Sequence, residues 1–229
     1  MAGGFARTGA EFARNGIIRS MFGDGSLSLR EFAMHEPLPL ATIHDAVLEF
    51  LRNREDAALF GAQAVNAYVD ESRMTQDVDI LSPRAEALAE EIRKTLTDRF
   101  HIAARVRAVA DGKGFRIFQL RKPKNRHLVD VRQVDSLPPT QMVMHVQVLR
   151  PEELIAQKVI SSSSRHAQPK GDTDRRDLKV LLLAFPQLKV KNGPVLVRLK
   201  AAGADANAQN EWRRLVSMDI QSDDADAGY

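Results

Sequence analysis

Residues 59–81, LFGAQAVNAYVDESRMTQDVDIL, constrain this chain more than any other stretch. The apolar run Ala57–Phe60 is a buried-strand signal that stops at Gly61, and residues 62–70 read as a helix. Asp77–Leu81 then alternates polar and apolar, the pattern of a half-buried strand. Strand side chains two apart point to the same side. Asp77 and Asp79 therefore share one face, and Val78 and Ile80 point into the core. Adjacent carboxylates repel, so they belong where water solvates them or where a divalent cation neutralises them. Magnesium prefers carboxylate oxygens. Gly61, at the end of a strand and the opening of a helix, lets backbone come close to a phosphate.

Asp130 in RHLVDVR adds a third acid. Val129 and Val131 face the core, so alternation places Asp130 on the opposite face with Leu128 and Arg132. Three carboxylates on neighbouring strands suffice for two metal ions, one activating an attacking oxygen and the other stabilising a leaving pyrophosphate. Each acid taken singly also suits a plain solvated surface.

Elsewhere the spacing predicts helices over 40–52 and 83–98, the second capped by Ser82. Strands follow over 102–109, 114–120 and 127–131, with Asp111-Gly112 as a hairpin turn, and a further strand over 143–149. Pro151 opens a helix, PEELIAQKVISS, with serines 161–164 as its polar exit and a loop around 169–171. Helices over 172–183, 194–201 and 208–217 complete the pattern. The expected class is α+β. An N-terminal extension (1–39) with a short helix near 5–15 precedes a mixed-sheet core (40–150). A helical annex (151–218) and a disordered acidic tail (219–229) follow it.

The ordered set Gly61, Ala62, Arg73, Thr75, Asp77, Val78, Asp79 and Ile80 resembles the nucleotidyltransferase superfamily with the DNA polymerase β-like fold. Within it the chain is most similar to AbiEii-type nucleotidyltransferases. These carry a later P-E-E-L-x-A-x-K helix and an R-D-L helix, matched here by Pro151, Glu152, Glu153, Leu154, Ala156 and Lys158, then Arg176, Asp177 and Leu178. The resemblance covers residues 57–185. It implies that Asp77, Asp79 and Asp130 are catalytic and bind Mg2+ or Mn2+. It sets Gly61, Ala62, Arg73, Thr75 and Lys158 at the nucleotide, with Asp177 orienting Lys158 or Arg176. Ala62 stands where relatives have Ser or Gly, which leaves only backbone contacts there. The implied activity moves NMP from an NTP such as ATP to a hydroxyl of RNA (a tRNA 3′ end), a protein or a small molecule. The rival expectations are a non-catalytic nucleotide- or RNA-binding module, or a toxin paired with an antitoxin.

The net charge of +3 divides into zero on residues 1–40, −4 on 201–229 and therefore +7 on 41–200. A basic body suggests an anionic partner. The stretch Lys113–Arg132 holds seven basic residues against Asp130. It reads as a charged hairpin or as a nucleic-acid contact. Phe115 and Phe118, three apart, cannot share a strand face for base stacking. The absence of cysteine excludes disulfides, thiolate zinc sites and cysteine nucleophiles. The six histidines lie at no metal-binding spacing. No apolar run approaches the roughly 20 residues of a membrane span, and no secretory signal opens the chain, so a soluble, cytoplasmic protein is expected.

Overall fold

The computed structural model describes residues 38–70 and 72–222. The expected helix near 5–15 and most of the acidic tail fall outside them. The chain divides into two compact units, the first ending at Val148 and the second beginning at Leu149.

In the first unit, α1 (Leu40–Phe50) leads to β1 (Ala58–Phe60), α2 (Gly61–Asn66) and β2 (Val78–Ser82). Next come α3 (Ala85–Phe100) and the strands β3 (Ala104–Val109), β4 (Gly114–Gln119) and β5 (Arg126–Gln133). β6 (Thr140–Val143) and β7 (Val146–Leu149) close the unit. The seven strands form one mixed sheet in the order β3-β4-β5-β2-β1-β7-β6. β2 runs parallel to β5 and antiparallel to β1, and β1 runs parallel to β7.

One face of this sheet is the core. Val78, Ile80, Ile117, Val129 and Val131 are fully buried there. α3 lies across β2, β3, β4 and β5, bringing Leu88, Ala89, Ile92 and Leu96, and α1 packs on α3 and β5. The amphipathic spacing of α3 is what allows one helix to cover four strands.

In the second unit, α4 (Pro151–Ser164) packs against α5 (Pro169–Ala184), α6 (Pro194–Ala201) and α7 (Ala206–Ser217). Leu154, Val159, Leu178, Leu181, Leu199 and Trp212 fill its centre. Pro151 opens α4 as expected, since its missing N–H costs nothing in a first turn. Asp205 caps α7 by accepting from the Ala208 N–H at 2.8 Å. Among the described residues, no helix is long and apolar enough to cross a membrane.

Several local expectations are corrected. Ser82 does not cap α3: its hydroxyl accepts from the Arg84 N–H, while the Ala85 N–H is taken by the Gln133 side chain from β5. The single strand expected over 143–149 is a hairpin, turned at Met144 and His145, both with positive φ and neither a glycine. Serines 161–164 lie inside α4, and Pro169-Lys170-Gly171 is the first turn of α5.

Candidate active site

The face of the sheet opposite α3 gathers the polar groups. Asp79 on β2 is in direct register with Asp130 on β5, and neighbouring strands lie about 4.8 Å apart. Phe60 on β1 is opposite Asp79, and Arg116 on β4 is opposite Asp130. One row thus crosses four strands: Phe60, Asp79, Asp130, Arg116. The Arg116 Nε donates to Asp130 Oδ1 at 2.9 Å. Asp77 directly precedes β2, two residues from Asp79 and on the same side. The Thr75 hydroxyl donates to the Asp77 carbonyl at 3.1 Å, fixing the entry to the strand.

Gly61 is the second fixed point. Its φ is +70°, and a Cβ there would sit 2.1 Å from Asp79 Oδ2. A glycine is therefore demanded twice, by backbone conformation and by the carboxylate against it. Gly61 opens α2, and Ala62 follows it with its side chain buried.

His127 is the residue that spacing did not reveal. The β4–β5 ladder pairs Ile117 with Val129 but Phe118 with His127, so Leu128 is an extra residue without a partner. Leu128 and Val129 are both fully buried. This bulge corrects the expectation that Leu128 lies on the face of Asp130, and it swings His127 onto that face instead. His127 Nδ1 stands 3.2 Å from Asp77 Oδ2, and Nε2 stands 3.7 Å from Asp130 Oδ1. Its ring packs on Phe118 with centroids 5.1 Å apart. Ligand atoms of Asp77, His127 and Asp130 all lie within 4.8 Å of one another, so one histidine joins the acids although the spacing of the histidines along the chain gives no sign of it.

The electrostatics follow from this crowding. Burial opposes charge on His127, but Asp130 and Asp77 outweigh it and raise its pKa to about 9, leaving an imidazolium at neutral pH. Burial works against ionised Asp130 too, yet His127 and Arg116 draw its pKa below the ordinary carboxylate value. The donor set suits a divalent cation. Two carboxylates converge with His127, which would ligate only after giving up its proton, and a third carboxylate is in register beside them. Carboxylates favour magnesium or manganese, and imidazole widens the choice of metal.

The remaining expected residues have their own surroundings. Arg73 is held through its backbone: the Asn66 amide donates to its carbonyl at 2.9 Å and accepts from its N–H at 3.1 Å. Lys158, expected to reach toward a triphosphate, is 7% exposed and has its Nζ 2.8 Å from Asp174 and 2.7 Å from Asp177. Ser161 also donates to Asp174. Asp177 meets both Lys158 and, at 3.9 Å, Arg176. These partners all belong to the helical unit. Phe115 lies in the core and Phe118 on the site face, as their spacing requires.

No protein-family model matches this chain. No curated protein matches it either. Solved structures do. A polyadenylate synthase from Megavirus superposes with a TM-score of 0.53 at 14% identity, over 67% of this chain and 33% of its own. The chain thus spans about a third of the length of that enzyme. JHP933 from Helicobacter pylori has a TM-score of 0.47 at 15% identity, covering 83% of this chain and 92% of its own. An antigenic nucleotidyltransferase-like protein from Paracoccidioides brasiliensis has a TM-score of 0.40 at 18% identity, covering 73% and 86%. The likeness to the first of these shows the fold alone: a mixed-sheet α+β core followed by helices.

Proposed function

We propose that this chain is a metal-dependent nucleotidyltransferase, of AbiEii-like type, that moves NMP from an NTP to a hydroxyl acceptor and releases pyrophosphate. The observation that carries it is the in-register pair Asp79 and Asp130, with Asp77 and His127 gathered beside it and Gly61 pressed against Asp79. Asp77, Asp79 and Asp130 would hold Mg2+ or Mn2+, with His127 at the edge of that set. Such a cation supplies charge neutralisation at the triphosphate and a more nucleophilic acceptor oxygen.

The chain's own groups do the positioning, which is most of the work in phosphoryl transfer. The backbone of Gly61 and Ala62 would lie against the phosphates beside Asp79. Arg73, tied down by Asn66, would meet a phosphate from the loop before β2. Asp130, kept ionised by His127 and Arg116, would orient the acceptor hydroxyl and take its proton.

The test is transfer from labelled NTPs in Mg2+ or Mn2+, with RNA, protein and small-molecule acceptors, comparing wild type with Asp79→Ala. Labelling is expected to disappear in the variant, and equal labelling by both proteins would refute the assignment. One observation favours a second reading, a nucleotide-binding module without turnover: His127 and Arg116 already neutralise the carboxylates from within the fold. Metal-dependent NTP retention with no transfer to any acceptor would select it.

A further inference from the structure

The carboxylate row has two unlike flanks. On the β1 side it meets Phe60 and Gly61. On the β4 side it continues into arginines: Arg116 is opposite Asp130, and Arg107 on β3 is opposite Arg116. Arg105, two residues before Arg107, is on the same face, opposite Phe118. Arg105, Arg107 and Arg116 are all exposed. Like charges directly opposite across strands destabilise a sheet, yet this edge holds Arg107 against Arg116. Among the described residues, no ion pair joins Arg105 or Arg107 to a carboxylate, and β3 carries no acid of its own. β3 is an edge strand, so among the described residues no further strand lies beyond this flank. The acids of α3 belong to the covered face, where Val106 and Ile117 pair.

We infer that this flank is a track for the backbone of a single-stranded nucleic acid whose terminal hydroxyl is the acceptor. The inference rests on the nucleotidyltransferase reading and names its acceptor class. The NTP phosphates are assigned to the Gly61 flank, so an anion on the arginine flank is a second one. Arg116 lies one strand spacing from Asp130 and Arg107 two, about 10 Å. Arg105 lies about 7 Å further along β3. Cations stepped outward from the reaction centre match the phosphates of a strand whose end lies at Asp130. Phe118, packed on His127 between Arg105 and the acids, offers a ring for a base near that end.

The test uses the full chain and a short 5′-labelled single-stranded RNA, with DNA of the same sequence as a second arm. Binding is followed by fluorescence anisotropy at several salt concentrations for wild type and for Arg105→Ser/Arg107→Ser. Both residues are exposed and stand outside the carboxylate cluster. Equilibrium dialysis of Mn2+ with ATP and a melting curve accompany each protein. The variant is expected to bind RNA at least tenfold more weakly at low salt. Its salt slope should be shallower by about 0.7 for each phosphate it no longer neutralises, with nucleotide retention and melting unchanged. Equal affinity for RNA and DNA supports recognition of the backbone alone, and RNA preference adds the ribose hydroxyl to it. Unchanged RNA affinity and slope in the variant, no RNA binding by wild type, or stronger binding of polyglutamate than of RNA would each overturn the proposal. RNA bound through these arginines by a chain that retains no nucleotide would sink the nucleotidyltransferase reading and, with it, the acceptor role of the bound strand.

Discussion

A methyl group at position 61 would have nowhere to go. It would meet the Asp79 carboxylate at 2.1 Å, from a backbone with φ of +70°. Gly61→Ala should therefore cost roughly 1–2 kcal/mol for the left-handed backbone alone, measurable by urea denaturation. It should also push Asp79 out of register with Asp130 and weaken Mn2+ binding in calorimetry; unaltered Mn2+ affinity would show that Asp79 is not a ligand. Asp45 on α1 makes a second prediction. Burial pushes its carboxyl from 3.8 up to about 6, against the attraction of Arg99. The fold thus prefers this acid neutral, and the sign follows. At pH values below 3.8 the group costs nothing, and its destabilisation grows as pH rises through 3.8 to about 6. Asp45→Asn should match wild type in strong acid and exceed its stability at neutral pH. At this scale the three aspartates and the glycine were legible because strand alternation is a strict rule. His127 was hidden because one inserted residue, Leu128, breaks that rule, and no residue type marks a bulge of this kind.

Whole elements were legible where the periodicity is long, as in α3 and α4, and where turn chemistry is explicit, as at Asp111-Gly112. The β6–β7 hairpin was not, because Met144 and His145 take positive φ without a glycine to announce it. The loop before β2 shows what an isolated side chain can do for an element. Asn66, the last residue of α2, pairs with both backbone groups of Arg73 as another strand would. Gly61 and Asn66 thus join the two ends of α2 to the segment that delivers Asp77 and Asp79. Asn66→Ala removes both bonds. It should lower stability by about 1–3 kcal/mol and speed amide exchange at Arg73 and its neighbours, while α3 exchanges as before. If Arg73 meets a phosphate, the substitution should also raise the KM for NTP, and it should add nothing in an Arg73→Ala background. Additive effects on KM would show that Asn66 does not act through Arg73.

At the scale of the molecule, the fold class was legible. The make-up of the helical unit's centre was not. Its centre holds charges among its leucines: Lys158 between Asp174 and Asp177, with Ser161 bonded to Asp174. A sequence pattern records that Lys158 and Asp177 occur together but not whether they act on a ligand or on each other. The geometry makes them a brace between α4 and α5, and energetics separates the two roles. Lys158→Met leaves two buried carboxylates with only the more distant Arg165 and Arg176, at 3.7 and 3.9 Å, and breaking a buried pair on one side costs about 3–5 kcal/mol. Replacing the whole set with apolar side chains of similar size is often neutral. Lys158→Met should therefore lower the urea midpoint sharply, and Lys158→Met/Asp174→Leu/Asp177→Leu should recover most of the loss. A lysine whose work is at the triphosphate would behave the other way, with an unmoved midpoint in Lys158→Met, a raised KM for NTP, and no recovery of NTP affinity in the triple variant.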